Sequence, residues 1–243
     1  LYPSQKALRE FDRMNKVSMN RNPSPWSKET DNTLKILSLN CAGLKAHFQD
    51  IKTDGRLQKA HIIHLVETSF TEDDDDEETL KLDGYEQKFI KNGNGKGIAT
   101  YYSCDKFKPH EEIKMDKFQI AKFKHRDLDV INVYRSQSLN SLEVLEHLKQ
   151  QIETGRPTLI TGDFNICFME NFSNRMIQGL LSLGFDQLVH EPTHIRGRHI
   201  DHAYFLDPSG RLNPIVDRYS PYYSDHDGIC ITIPEVTYET EEQ

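Results

Sequence analysis

At 243 residues, 36% hydrophobic and 28% charged, the chain suits one large globular domain better than two complete ones, and its composition is not that of a disordered protein. Its longest apolar runs, such as Ile62 to Val66, fall far short of the ~20 residues a membrane-spanning helix needs. The net charge of −8 argues against a surface that grips DNA everywhere, since Lys and Arg dominate non-specific affinity, but it leaves room for an enzyme with an acidic metal-binding cluster.

In chain order, residues 1–32 are polar and carry Asn22-Pro23-Ser24-Pro25, so a short helix followed by a linker is expected. The first residues lack both Met and an apolar stretch, as expected of a piece from a longer polypeptide. The domain proper is expected over residues 33–234. Apolar, β-branched runs predict strands at Leu34–Leu39, Ile62–Val66, Gly97–Tyr102, Asp129–Tyr134, Thr158–Thr161, Ile200–Leu206 and Ile229–Ile233. Helical periodicity predicts helices at Leu44–Lys59, Ser141–Glu153, where Leu142, Leu145 and Leu148 share a face, and Asn174–Leu183. Strands of mixed type joined by helices and tight turns indicate an α/β chain with a two-sheet core and helices outside. Residues 235–243 form an acidic tail expected to fray.

Several features take bland readings. The scattered Cys41, Cys104, Cys167 and Cys230 are expected to be reduced structural thiols. The acidic run Glu72–Glu78 lacks the glycine and ligand spacing of a calcium loop and is expected to be solvated and mobile. Residues 91–96 form a glycine-rich stretch best taken as a hairpin turn. His61 and His64 pack or cap their strand. Alternation turns His202 away from Asp201.

Chemistry gathers where the predicted strands end. Asn40, Glu67, Tyr134, Asp163, Asn165, Asp201, Asp225 and His226 all sit at or beside strand C-termini, where side chains reach a shared mouth. Mg²⁺ wants oxygen ligands, one or two carboxylates being enough, and Glu67 and Asp225 could supply them. Asp163 and Asn165, two apart in extended chain, would face one site with Phe164 turned to the core. His226 becomes a strong charged donor if a carboxylate raises its pKa, with Asp201 the natural partner. Arg135 is a candidate phosphate ligand. His194, Arg196 and Arg198 lie in a loop that could touch a substrate backbone.

Together, Asn40 in its LSLNCAGL context, Glu67 in HLVETSF, Tyr134 in INVYRS, the GDFN of 162–165, the IDHAYF of 200–205 and the SDHDGI of 224–229 resemble the ordered motifs of the endonuclease/exonuclease/phosphatase (DNase I-like) superfamily. The resemblance implies a four-layer α/β sandwich, two packed mixed sheets flanked by helices. It implies Glu67, Asn40 and Asp225 as ligands of Mg²⁺, with Mn²⁺ a possible substitute. It implies that Asp163 orients or deprotonates the attacking water, Asn165 binds the reacting phosphate, Asp201 orients His226, and His226 and Tyr134 contact that phosphate. Many relatives carry an acid where this chain has Ala42, so one ligand fewer is expected. Further stretches resemble endonucleases of Helitron-like or LINE-type mobile elements, and residues 2–15 resemble the tail of a Helitron-like helicase. The expected activity is a metal-dependent DNA endonuclease acting in the nucleus, joined to an upstream helicase or reverse transcriptase. Alternatives are the same chemistry on tyrosyl-DNA adducts, RNA or inositol phosphates, or an inactive nucleic-acid-binding domain.

Overall fold

A computed structural model describes Trp26 and residues 32–235. The expected helix at the N-terminus and the acidic tail beyond residue 235 lie outside the described residues. Within the segment read as a linker, Trp26 is buried and its indole Nε1 donates to the Arg56 carbonyl at 2.8 Å.

Twelve strands form two six-stranded sheets. The first runs β11-β12-β1-β2-β4-β3, from β1 (Thr33–Asn40), β2 (Ile62–Val66), β3 (Glu86–Ile90), β4 (Ile98–Tyr102), β11 (Ile215–Tyr219) and β12 (Gly228–Pro234). The second runs β5-β6-β7-β8-β10-β9, from β5 (Lys108–Met115), β6 (Phe118–His125), β7 (Leu128–Arg135), β8 (Thr158–Asp163), β9 (Asp186–Gln187) and β10 (Asp201–Leu206). Both sheets are mixed: β1 pairs in parallel with β2, and β7 with β8, while the other pairings are antiparallel.

Strand alternation builds three apolar layers. Ile36, Ile62, Val130, Leu159 and Ile231 fill the seam between the sheets. Leu37, Leu39, Ile63 and Leu65 point the other way, against Leu44 and Ile51 of helix α1 (Leu44–Thr53). On the far side, Ile131, Val133 and Ile160 pack against Val144 and Leu148 of α2 (Ser141–Gln151) and Met176, Ile177 and Leu180 of α3 (Arg175–Ser182). The result is helix, sheet, sheet, helix, as the motifs implied. Asn140 and Asn174 cap α2 and α3 by accepting from Leu142 and Met176 backbone N–H groups, satisfying donors a helix start leaves open.

Several expectations need correction. The helix expected over 44–59 stops at Thr53, and Leu57–Lys59 form a separate 3₁₀ turn around Asp54, whose carboxylate is bound by Arg56. In α2, Val144 rather than Leu142 joins Leu145 and Leu148 inside, and Leu142 is 38% exposed. The acidic run is tied down: Asp74 pairs with Lys45, Glu72 with Lys114, and Glu77 with Lys91 at 2.7 Å, and Asp76–Leu80 is a 3₁₀ helix. Residues 91–97 do join β3 and β4 as a hairpin. All four cysteines are free; Cys41, Cys167 and Cys230 are buried and Cys104 is exposed.

The middle of the seam is polar. Ser38, His64, Thr100, Asn132, Gln119 and Thr161 are buried there, with His64 Nδ1 3.1 Å from Thr100 Oγ1. Burial pushes the His64 imidazole down to about 3. His202, turned away from Asp201 as expected and bonded to the Ile166 and His199 carbonyls and Tyr204, is pushed by burial to about 4. Both folded pKa values lie below the unfolded value near 6.5, so their contribution to stability is intact above that value. It is lost as pH falls from about 6.5 towards 4, because only the unfolded chain takes up the protons. We therefore expect His64→Leu to shrink the stability lost between pH 7 and pH 5 by on the order of 2 kcal/mol. Urea unfolding of both proteins at the two pH values measures this, and an equal loss in the two would refute it.

Candidate active site

The site lies at one end of the seam, and both sheets supply it. Asn40 ends β1, Glu67 follows β2, Tyr134 lies near the end of β7 and Asp163 ends β8. Asp201 instead begins β10 and His226 precedes β12, which corrects the expectation that all the residues stand at strand C-termini. They reach the same edge because β10 runs antiparallel to β8, pairing Asp201 with Asp163, and β12 runs antiparallel to β1.

Asp163 is 1% exposed and caught between two donors. Asn40 Nδ2 donates to its Oδ2 at 3.0 Å and the Asn165 backbone N–H to its Oδ1 at 2.8 Å. Burial raises its pKa, and the Asp201 carboxylate beside it raises it further, against the opposing pull of His226 and Asn40. Asn165 is not in extended chain as expected: its φ is +50°, and its Nδ2 donates to the Arg135 carbonyl at 2.9 Å. The turn needs Gly162, where a Cβ would lie 1.9 Å from the Val133 carbonyl oxygen. Phe164 is buried, as read from the sequence.

Asp201 accepts at Oδ2 from the Thr193 hydroxyl at 2.6 Å and lies 2.8 Å from His226 Nδ1. Burial alone would strip the charge from His226, but Asp201, helped by Asp163 and Asp225, outweighs it and holds the pKa at about 9. The imidazole is thereby a charged donor at neutral pH. Ser224 fixes the segment, donating to the Asn40 carbonyl and accepting from the His226 N–H.

Glu67 has a φ of +54°, a strained conformation costing roughly 1–3 kcal/mol. Its carbonyl is held by the Gly43 N–H at 2.8 Å. Its carboxylate meets Tyr134 Oη at 3.2 Å and Lys96 Nζ at 2.7 Å. Burial, with the charge of Glu67, pushes the Tyr134 phenol far up, so it stays protonated. Asp225 faces His194 at 3.5 Å. Among the described residues, two groups of side chains come close enough to share an ion, His194–Asp225–His226 and Asp163–Asp201–His226, and Glu67 joins neither.

The donor set fits a hard divalent cation: the buried Asp163 carboxyl is pushed up by burial and by the charge of Asp201, and Glu67 already attracts an ammonium as counter-charge. Ala42, where many relatives have an acid, has a φ of +50° and donates its N–H to Asn40 Oδ1.

Arg135, a candidate phosphate ligand, is 5% exposed and spends its guanidinium on the carbonyls of Phe164 and Leu139; it braces the 163–165 turn instead. Sequence reasoning missed Thr193 and Lys96 and left His194 open. His194 stacks edge-on against His226, ring centroids 4.8 Å apart. A polar loop before a strand and a glycine-rich turn were the only local signals for them.

No curated protein matches the chain by sequence. Among solved structures, an AP endonuclease from Archaeoglobus fulgidus superposes with a TM-score of 0.64 at 17% identity, covering 84% of this chain and 100% of its own. D. rerio TDP2 complexed with single strand DNA product gives 0.62 at 16%, covering 84% and 99%. The endonuclease domain of TRAS1, a telomere-specific non-LTR retrotransposon, gives 0.60 at 14%, covering 83% and 98%. Such identities establish the fold. The model of the Endonuclease/Exonuclease/phosphatase family matches residues 37–226, which is most of the described domain. The chain belongs to the Endonuclease/Exonuclease/phosphatase family.

Proposed function

We propose that this chain is a Mg²⁺-dependent DNA endonuclease that nicks the phosphodiester backbone, as part of a mobile-element protein acting on nuclear DNA. The observation that carries the chemistry is the convergence of two polar constellations on one mouth: Asp163 held between Asn40 and Asn165, and the Asp201–His226 pair at 2.8 Å.

Each side chain takes a distinct task. Asp163, fixed on both oxygens, orients the attacking water and draws off its proton. His226, charged and held by Asp201, donates to the phosphate oxygen on which charge develops. Asn165 and Tyr134 supply neutral donors to the same phosphate. Glu67, with Asn40 and Asp225, would hold the cation, which when bound supplies charge neutralisation and Lewis acidity. Among the described residues no helix is long and apolar enough to cross a membrane.

DNA is favoured as substrate because the neighbours in fold include an AP endonuclease, a retrotransposon endonuclease domain and TDP2 with a DNA product. The mobile-element role rests on the motifs around Glu67, Tyr134 and Asp201, and an upstream helicase on the resemblance of residues 2–15 to a helicase tail. Incubated with supercoiled plasmid, the protein should relax it in Mg²⁺ and lose all relaxation in EDTA. Hydrolysis of a tyrosyl-phosphodiester or an RNA tail without any nicking would transfer the same chemistry to another substrate, and metal binding without hydrolysis would identify a binding domain.

A further inference from the structure

The hairpin at 91–97 has a use that its sequence did not disclose. Its backbone is anchored from two sides. Asn92 and Asn94 donate side-chain N–H groups to the Asp116 carbonyl at 3.1 and 2.9 Å, and the Gly95 N–H donates to the Asn92 carbonyl at 2.8 Å. The Lys96 N–H donates to Asn94 Oδ1 at 2.9 Å, and the Gly97 carbonyl accepts from the Thr68 N–H at 3.3 Å. Gly97 lies so close that a Cβ would come 2.5 Å from the Ile90 carbonyl oxygen and 2.9 Å from Thr68 Oγ1. The turn is thus pressed against the residues that follow Glu67. This fixed platform aims one long cation into the site: Lys96, whose Nζ lies 2.7 Å from Glu67 Oε2 while its side chain remains 44% exposed.

We propose that Lys96 is a built-in counter-cation for Glu67 that a divalent ion displaces, and that the released ammonium then binds substrate phosphate at the mouth of the site. The proposal rests on the assignment of Glu67 as a metal ligand. One carboxylate oxygen cannot serve an ammonium and a metal ion at full strength together, and an exposed lysine pair is weak enough to yield. Its four-carbon stem lets the charge swing without moving the hairpin. A positive group already in place also keeps the strained Glu67 oriented before the ion arrives.

The neighbouring Lys91 supplies a control, because its ammonium pairs with Glu77 and donates to the Asp74 backbone carbonyl, away from Glu67. Calorimetric titration of Mn²⁺ into wild type, Lys96→Met and Lys91→Met reads the competition directly, without turnover. We expect Lys96→Met to bind Mn²⁺ about 2–5-fold more tightly and Lys91→Met to change little. In DNA binding with Ca²⁺ present, the salt slope of Lys96→Met should fall by about 1. Unchanged or weaker Mn²⁺ binding by Lys96→Met, or an equal gain in Lys91→Met, would overturn the exchange while leaving the metal assignment standing. Absence of Mn²⁺ binding to wild type would overturn both.

Discussion

Asp163→Asn is expected to lower the cleavage rate by about 10²–10⁴-fold and to leave the melting temperature within roughly 3 °C of wild type. The replacement keeps the shape of a side chain that is 1% exposed, so no cavity opens. It removes the negative charge with which the proposed base would take a proton from water. One of the two donors facing the carboxylate, from Asn40 or Asn165, loses its acceptor, at a cost of about 1 kcal/mol. Relief of the repulsion between the burial-raised Asp163 and Asp201 offsets that loss. Plasmid nicking beside a thermal melt measures both quantities. A rate near wild type would remove Asp163 from the chemistry, and a collapsed melt would mark it as structural.

His226→Ala should cost about 10²–10³-fold, the usual toll of losing a charged donor aimed at a developing oxyanion. If Asp201 serves catalysis through His226, to which it is joined at 2.8 Å, Asp201→Asn should cost less. The double variant should be no slower than His226→Ala alone, because residues that act as a unit are not additive. Independent, multiplying effects would show that Asp201 has a separate task, for instance through Thr193, whose hydroxyl shares its Oδ2.

The site was legible because its residues come in short local patterns at strand ends, and the seven strands expected from sequence are all interior. The four edge strands β3, β5, β9 and β11 went unrecognised. An edge strand buries little, as Lys108–Met115 shows with no fully buried residue, and so carries no apolar rhythm to read. The fifth omission, β6, is interior but includes buried Gln119 and Lys122, the latter paired with Asp129 at 2.9 Å; these polar residues hide a core strand. Within the site, order along the chain gave the members but not their hands. Whether Asn165 lies in a strand or in a left-handed turn, and whether Asp225 faces Glu67 or His194, depends on backbone angles and on partners far away in sequence. Lys96 approaches Glu67 from 29 residues along the chain, a meeting created only when β4 folds back beside β2.

Because Asn40, Glu67 and His226 come from one sheet and Tyr134, Asp163 and Asp201 from the other, the working geometry exists only while the two sheets stay in register across a partly polar seam. A slip of about 1 Å between them can cost a hundredfold in rate before either sheet loses a backbone hydrogen bond. Catalytic output in this molecule is therefore a vernier on sheet docking, and damage far from the mouth, anywhere along the seam, would be felt first as slowness and only later as unfolding.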